Sequence, residues 1–135
     1  MTKEFLSLPG VIGVGTDLLR EERIAGALER HGERFARRVL TPEEFTVFSS
    51  HRTPLNYLAK AFAAKEALAK ALGTGIAQGI SFQDFSIVRD GAGKPVVKTS
   101  GVAQEHLVRH QARLFISLTD EGDFIQAFAI LASCS

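Results

Sequence analysis

Short β-branched runs punctuated by glycine alternate along this chain with alanine- and leucine-rich stretches. Val11-Ile12-Gly13-Val14-Gly15 is the first such run; it predicts a buried strand that leads into Thr16-Asp17-Leu18-Leu19. An arginine-rich helical region follows from about Arg20 to Leu40, with Gly26 and Gly32 as its weak points. Thr41-Pro42-Glu43-Glu44 predicts a helix start, in which Thr41 caps, Pro42 suits the first turn and Glu44 closes a capping box. Thr53-Pro54 opens the longest helix, which ends before Gly73 and exits through Gly73-Thr74-Gly75. Phe82 to Val88 predicts a strand, Asp90-Gly91-Ala92-Gly93 a turn, and Pro95-Val96-Val97 the returning strand. Ser100 is placed to cap a helix through about His110. Leu114 to Leu118 predicts another strand, which Asp120-Glu121-Gly122-Asp123 turns into a last one from Phe124 to Leu131. Strands and helices in this mixed order predict an α+β fold, with an antiparallel sheet packed with the long helix.

Composition bounds the picture without changing it. The chain has 135 residues, the size of one domain, so residues 1–135 are expected to form a single one. Apolar residues make up 45% and the net charge is +1, which argues against a general nucleic-acid binder. The lone cysteine, Cys134, cannot form an internal disulfide, and a reducing compartment suits it. Met1–Gly10 lacks the apolar stretch of a signal peptide. No run approaches the ~18 apolar residues of a membrane span. A cytoplasmic protein with no membrane partner is expected.

The chemically informative segment is Phe62-Ala63-Ala64-Lys65-Glu66-Ala67-Leu68-Ala69-Lys70. Glu66 and Lys70 are four apart and share a helix face. Spacing alone favours an ion pair on a solvated surface. The surrounding alanines, the glycine-rich exit and the isolated carboxylate of Asp17 shift the balance towards a site. Mg²⁺ takes few carboxylates and shares a substrate's phosphate oxygens, lysine meets phosphate charge, and glycine lets backbone approach a bulky anion. These residues point to Mg²⁺ and a phosphate-bearing substrate, and they name no reaction.

Gly13-Val14-Gly15-Thr16-Asp17, followed some fifty positions later by the Lys65-Glu66-Ala67 and Lys70 helix, resembles the paired signature of bacterial holo-acyl-carrier-protein synthases. The likeness continues through Arg34-Phe35-Ala36-Arg37-Arg38-Val39-Leu40-Thr41, Gly73-Thr74-Gly75-Ile76 and Asp90-Gly91-Ala92-Gly93-Lys94-Pro95, and covers almost the whole chain in order. The resemblance implies a 4′-phosphopantetheinyl transferase-like fold, a homotrimer with three sites at subunit interfaces, and Mg²⁺-dependent transfer of 4′-phosphopantetheine from coenzyme A to a serine of an acyl carrier protein for fatty acid biosynthesis. It implies Asp17 and Glu66 as Mg²⁺ ligands, with Glu66 taking the serine proton and Lys70 beside the coenzyme A pyrophosphate. Lys65 is expected beside the metal ligand and in contact with the cofactor, and Gly73, Thr74 and Gly75 around the nucleotide end. Two positions depart from many relatives. Ala61 stands where they carry Arg, so that Lys60 or Arg52 is left to make the phosphate contact; Asp120 stands where they carry His.

Arg20, Arg23, Arg30, Arg34, Arg37 and Arg38 crowd within nineteen residues, offset by Glu21, Glu22, Glu29 and Glu33. On one uninterrupted helix Arg23, Arg30, Arg34 and Arg37 would form a single face, and the resemblance implies that Arg23, Arg30 and Arg34 meet an acidic helix of the carrier. By composition alone the same residues are a salt-bridged solvated surface. His31, His51, His106 and His110 are dispersed and complete no zinc motif. The phenylalanines, Phe5 among them, are expected in the core or at subunit contacts, with Phe35 and Tyr57 as further candidates to line a groove. Two other readings remain: a different Mg²⁺-dependent enzyme of nucleotide pyrophosphates, and a non-catalytic trimeric binding module.

Overall fold

The computed structural model describes residues 10–134; Phe5 and most of the amino-terminal segment considered above lie outside them. The elements run β1 (Val11–Arg20), α1 (Glu21–His31), α2 (Glu33–Val39), α3 (Pro42–Ser50), α4 (Pro54–Ala71), a 3₁₀ turn (Phe82–Asp84), β2 (Phe85–Arg89), β3 (Pro95–Thr99), α5 (Gly101–His110), β4 (Ala112–Glu121) and β5 (Phe124–Ser133). β1, β5 and β4 form one antiparallel sheet in that spatial order, and β2 and β3 form a hairpin. The α+β architecture is the one the pattern predicts.

Helix α4 lies on the inner face of the three-stranded sheet, and its alanines make this possible. Ala59, Ala63, Ala64, Ala67 and Ala69 are completely buried. Opposite them β1 presents glycine. A Cβ on Gly15 would fall 2.1 Å from the carbonyl oxygen of Ala67, and one on Gly13 would fall 2.2 Å from that of Ala71. No side chain fits there, so helix and strand meet backbone to backbone. Residues two apart on a strand share a face, so Asp17 points the same way as Gly13 and Gly15, towards α4.

The opposite face of this sheet is apolar and open. Val14 and Leu18 are 58% and 61% exposed, and Phe115 and Phe128 on the neighbouring strands are both 44% exposed. The first strand is therefore not buried on both faces as its composition predicts; the alternation decides which half is covered.

The expected helix start at Thr41 holds, and the expected cap at Ser100 changes. Thr41 Oγ1 accepts the Glu44 amide at 3.3 Å while Glu44 Oε1 accepts the Thr41 amide at 2.9 Å, the reciprocal pair of a capping box. Ser100 stands at the start of α5 but its side chain does not cap it. Asp84, from the 3₁₀ turn, accepts the Ala103 amide at 3.0 Å instead. The helical region between Arg20 and Leu40 breaks at Gly32, whose φ of 59° ends α1 and begins α2. Among the described residues no helix is long and apolar enough to cross a membrane.

Candidate active site

Asp17 and Glu66 meet along the edge of the β1–α4 contact. Lys70, one turn after Glu66 on α4, donates from Nζ to the Thr16 carbonyl at 2.9 Å and pairs with Asp17 Oδ1 at 3.3 Å. The Asp17 side chain is only 14% exposed, and its second oxygen, Oδ2, is buried with no hydrogen-bond partner. Burial pushes the Glu66 carboxyl above the usual range; the Asp17 charge adds to the effect, against Lys70 and Arg23. A buried orphan oxygen beside a second, mutually repelling carboxylate is a place that a small divalent cation would neutralise. Among the described residues no group of three His, Cys, Asp or Glu side chains is arranged to hold a metal. Two carboxylates leave room for the waters and phosphate oxygens that Mg²⁺ retains, so the residues present fit that ion.

Lys65 is not part of this edge, contrary to the expectation that it binds the cofactor. It is 0% exposed and turned away from Glu66, into the space under α2 and α3. Its Nζ donates to the Val39 carbonyl at 2.7 Å and to Glu44 Oε1 at 2.5 Å. Adjacent residues of a helix diverge by about 100°, so the residue before a site carboxylate faces elsewhere. Glu44, read from the sequence only as a cap, thus has a second role that no local pattern reveals.

The remaining cofactor candidates fall before and after Glu66 along α4 and its flanking loops. Lys60 lies six residues before Glu66, about 9 Å along the axis, and Gly73 lies about as far beyond it. Lys60 pairs with Asp120 at 3.6 Å, and Asn56 joins Asp120 (3.3 Å) to Glu21 (3.0 Å). The sequence offered no sign of Asn56 in this role. Asp120 thus holds a lysine. Ala61 is buried and, with Tyr57, Lys60, Arg89 and Leu118, lines a cavity of about 270 Å³. The Tyr57 hydroxyl is pushed up to about 12 by burial, then by Glu44 and Glu43, against Arg89. Arg52 is exposed in the loop before α4. At the far end Gly73 and Gly75 have φ of 86° and 63°, which glycine alone takes readily. Between them Thr74 Oγ1 donates to the Gly75 carbonyl at 2.7 Å and folds the loop back on itself.

The arginines do not make one helix face, because Gly32 separates Arg23 and Arg30 on α1 from Arg34 on α2. Arg23 is near the site, with its guanidinium 5.7 Å from the centre of the Phe62 ring. Phe62 packs in turn between Phe35 and Phe82, at 6.1 and 5.4 Å. Arg30 and Arg34 are exposed. Arg37 is occupied locally, bonded to Glu33 at 2.7 Å and stacked 4.0 Å over Phe45.

Residues 13–129 match the 4′-phosphopantetheinyl transferase superfamily. The chain is 48% identical over 127 residues to a holo-[acyl-carrier-protein] synthase of Vibrio parahaemolyticus, covering 91% of this chain and 98% of that protein. Its structure is similar to the crystal structure of holo-[acyl-carrier-protein] synthase from Neisseria meningitidis, with a TM-score of 0.85 and 41% identity over 91% of this chain and 98% of that one. It is also similar to a Bacillus anthracis holo-(acyl-carrier-protein) synthase in complex with coenzyme A (3′,5′-ADP), at a TM-score of 0.78 and 31% identity, over 92% and 98% of the two chains.

Proposed function

The chain belongs to the 4′-phosphopantetheinyl transferase superfamily, and on that footing we propose that it transfers 4′-phosphopantetheine from coenzyme A to a serine of apo acyl carrier protein, in one transferase domain spanning residues 1–135. The observation that carries the reading is the buried, unpartnered Oδ2 of Asp17, set against Glu66 and Lys70. It leaves uncompensated negative charge, which a cation shared with the substrate's pyrophosphate would neutralise.

Asp17 and Glu66 would hold Mg²⁺, which when bound would supply neutralisation of the pyrophosphate charge and polarisation of the phosphorus. The rest falls to the chain's own groups. The carrier's serine oxygen attacks the β-phosphorus; a new P–O bond forms and the bond to 3′,5′-ADP breaks. Glu66 accepts the serine proton. Lys70, with its side chain 48% exposed beside Asp17, meets the charge that develops on the leaving group. Arg52 and Lys60 before Glu66, and the Gly73-Thr74-Gly75 loop after it, would hold an extended nucleotide that passes Glu66 and Lys70.

The carrier docks on Arg23, Arg30 and Arg34, beside the site that Arg23 adjoins, and an acidic helix is the complementary surface. Three copies assemble through the open apolar sheet face. Its Val14, Leu18, Phe115 and Phe128 form a patch of the kind that soluble monomers do not leave uncovered. A cytoplasmic location follows from this substrate pair.

The test is intact-mass spectrometry of apo acyl carrier protein incubated with the chain, coenzyme A and Mg²⁺, with a chelated control. A Mg²⁺-dependent gain equal to one phosphopantetheine arm is expected. No gain across several carriers would reject the reading in favour of a non-transferring nucleotide binder.

A further inference from the structure

Three of the four buried polar or charged side chains among the described residues, Thr41, Glu44 and Lys65, form one cluster behind the candidate site. Lys65 and Glu44 are 0% and 2% exposed as side chains. Glu44 Oε1 accepts the Lys65 ammonium, the Thr41 amide and the Thr41 hydroxyl, and Oε2 accepts the Ile87 amide at 2.7 Å. Lys65 also bonds the Val39 carbonyl. One ion pair therefore ties the end of α2, the start of α3, strand β2 and the middle of α4 to a single point.

Stability alone does not account for this arrangement. Desolvating an ammonium and a carboxylate costs about what their attraction returns, and well-packed apolar residues commonly serve as well. What the pair adds is direction. On its other side α4 rests on the glycines of β1, where no Cβ projects to interlock with it. Along that strip the directional contact is made by Lys70, to the Thr16 carbonyl and Asp17, near the end of α4. On the opposite side the directional contact is made by Lys65, the residue next to Glu66.

We infer that the buried Lys65–Glu44 pair is a positioning device, which sets the rotation of α4 and thereby aims the Glu66 carboxylate at Asp17. The inference rests on the proposed cation site of Asp17 and Glu66. Neither Lys65 nor Glu44 touches the reacting atoms; both act through Glu66. Loss of the supporting partners behind a metal-binding carboxylate characteristically weakens metal binding by about 10–100-fold.

The test uses the full chain with Lys65→Met, which keeps the length without the charge, and Glu44→Asp, which keeps the charge but withdraws it by one methylene. Mn²⁺ alone is titrated into each, read by the free-ion paramagnetic resonance signal, beside circular dichroism and Tm. Expected is roughly a tenfold rise in the Mn²⁺ dissociation constant in each variant that remains folded. The KM for coenzyme A at saturating metal should be unchanged. Glu44→Asp keeps the test decisive if Lys65→Met does not fold. Folded Glu44→Asp with wild-type Mn²⁺ affinity, or an affinity lost only in proportion to the unfolded fraction, would overturn the positioning role and leave the cation site standing. Absence of Mn²⁺ binding by the unaltered chain would overturn both.

Discussion

Asp17 and Lys70 lie 3.3 Å apart across the junction of β1 and α4, and the pairing uses one oxygen of the carboxylate while the other is buried and unpartnered. The half-satisfied state is the source of a first expectation. Asp17→Asn removes one of two repelling charges and keeps the shape. The metal-free variant should have a Tm at or slightly above that of the unaltered chain. Its Mg²⁺-dependent transfer should fall by roughly 10²-fold or more. Mass-spectrometric turnover and thermal melts, run side by side, check both halves.

Glu66 makes stability depend on pH in a definite direction. Its folded carboxyl titrates above its unfolded value, chiefly through burial and then Asp17. The folded state therefore binds the proton more tightly. Its contribution is favourable at low pH and is lost as pH rises from the unfolded value through the raised folded one. The metal-free chain should lose Tm across that window, and Glu66→Gln should flatten the loss. Mg²⁺ binding favours the ionised form, so adding it should reverse the loss, and chelation should restore it. Turnover, which needs Mg²⁺, should fall only on the acid side of that window, where protons compete with the cation for Glu66, and Glu66→Gln should abolish it.

Gly15→Ala places a methyl on the backbone of α4, where a Cβ falls 2.1 Å from Ala67 O. Backbone cannot swing aside as a side chain does, so helix and strand must separate. A loss of about 1–3 kcal/mol is expected, measurable by urea denaturation. Activity should fall further than stability, because the same separation draws Glu66 away from Asp17. Equal stability in the variant would mean that α4 does not rest on β1.

Arg23→Glu tests the carrier face. The carrier's KM should rise by roughly tenfold, with weaker salt dependence of the on-rate, while the KM for coenzyme A changes little. Should only the coenzyme A value move, Arg23 serves the nucleotide and not the carrier.

Leu18→Asp puts a charge in the open sheet face, next to Gln126 and on the side of Phe128. Sedimentation should show the proposed trimer reduced to monomers. Circular dichroism should remain that of the folded chain, because Leu18 is 61% exposed in a single copy. A trimer that survives the change would move the subunit contact elsewhere.

Much of this protein is written in local periodicity. The long alanine-rich helix, the capping box of Thr41 and Glu44, the hairpin turn at Asp90 and the mixed strand order follow from propensities and from spacings of two, three and four, because those interactions close within a few residues. Spacing placed Glu66 and Lys70 on one helix face, whereas their grouping with Asp17 was implied by the family resemblance. Lys65 was misassigned because spacing tells which residues share a helix face, not which face meets which neighbour. Its burial depends on Glu44, twenty-one residues away, and on Val39. The single arginine face dissolved because one glycine at positive φ redirects everything after it. The first strand read as buried, yet the sheet covers only the half of it that faces α4. By itself, then, the sequence determined the elements and the chemical types at the site, through interactions that span a turn or a pleat. Only the tertiary structure decided where Lys65 points, which sheet face stays open and which Asp17 oxygen lacks a partner, since each depends on packing between segments distant in the chain.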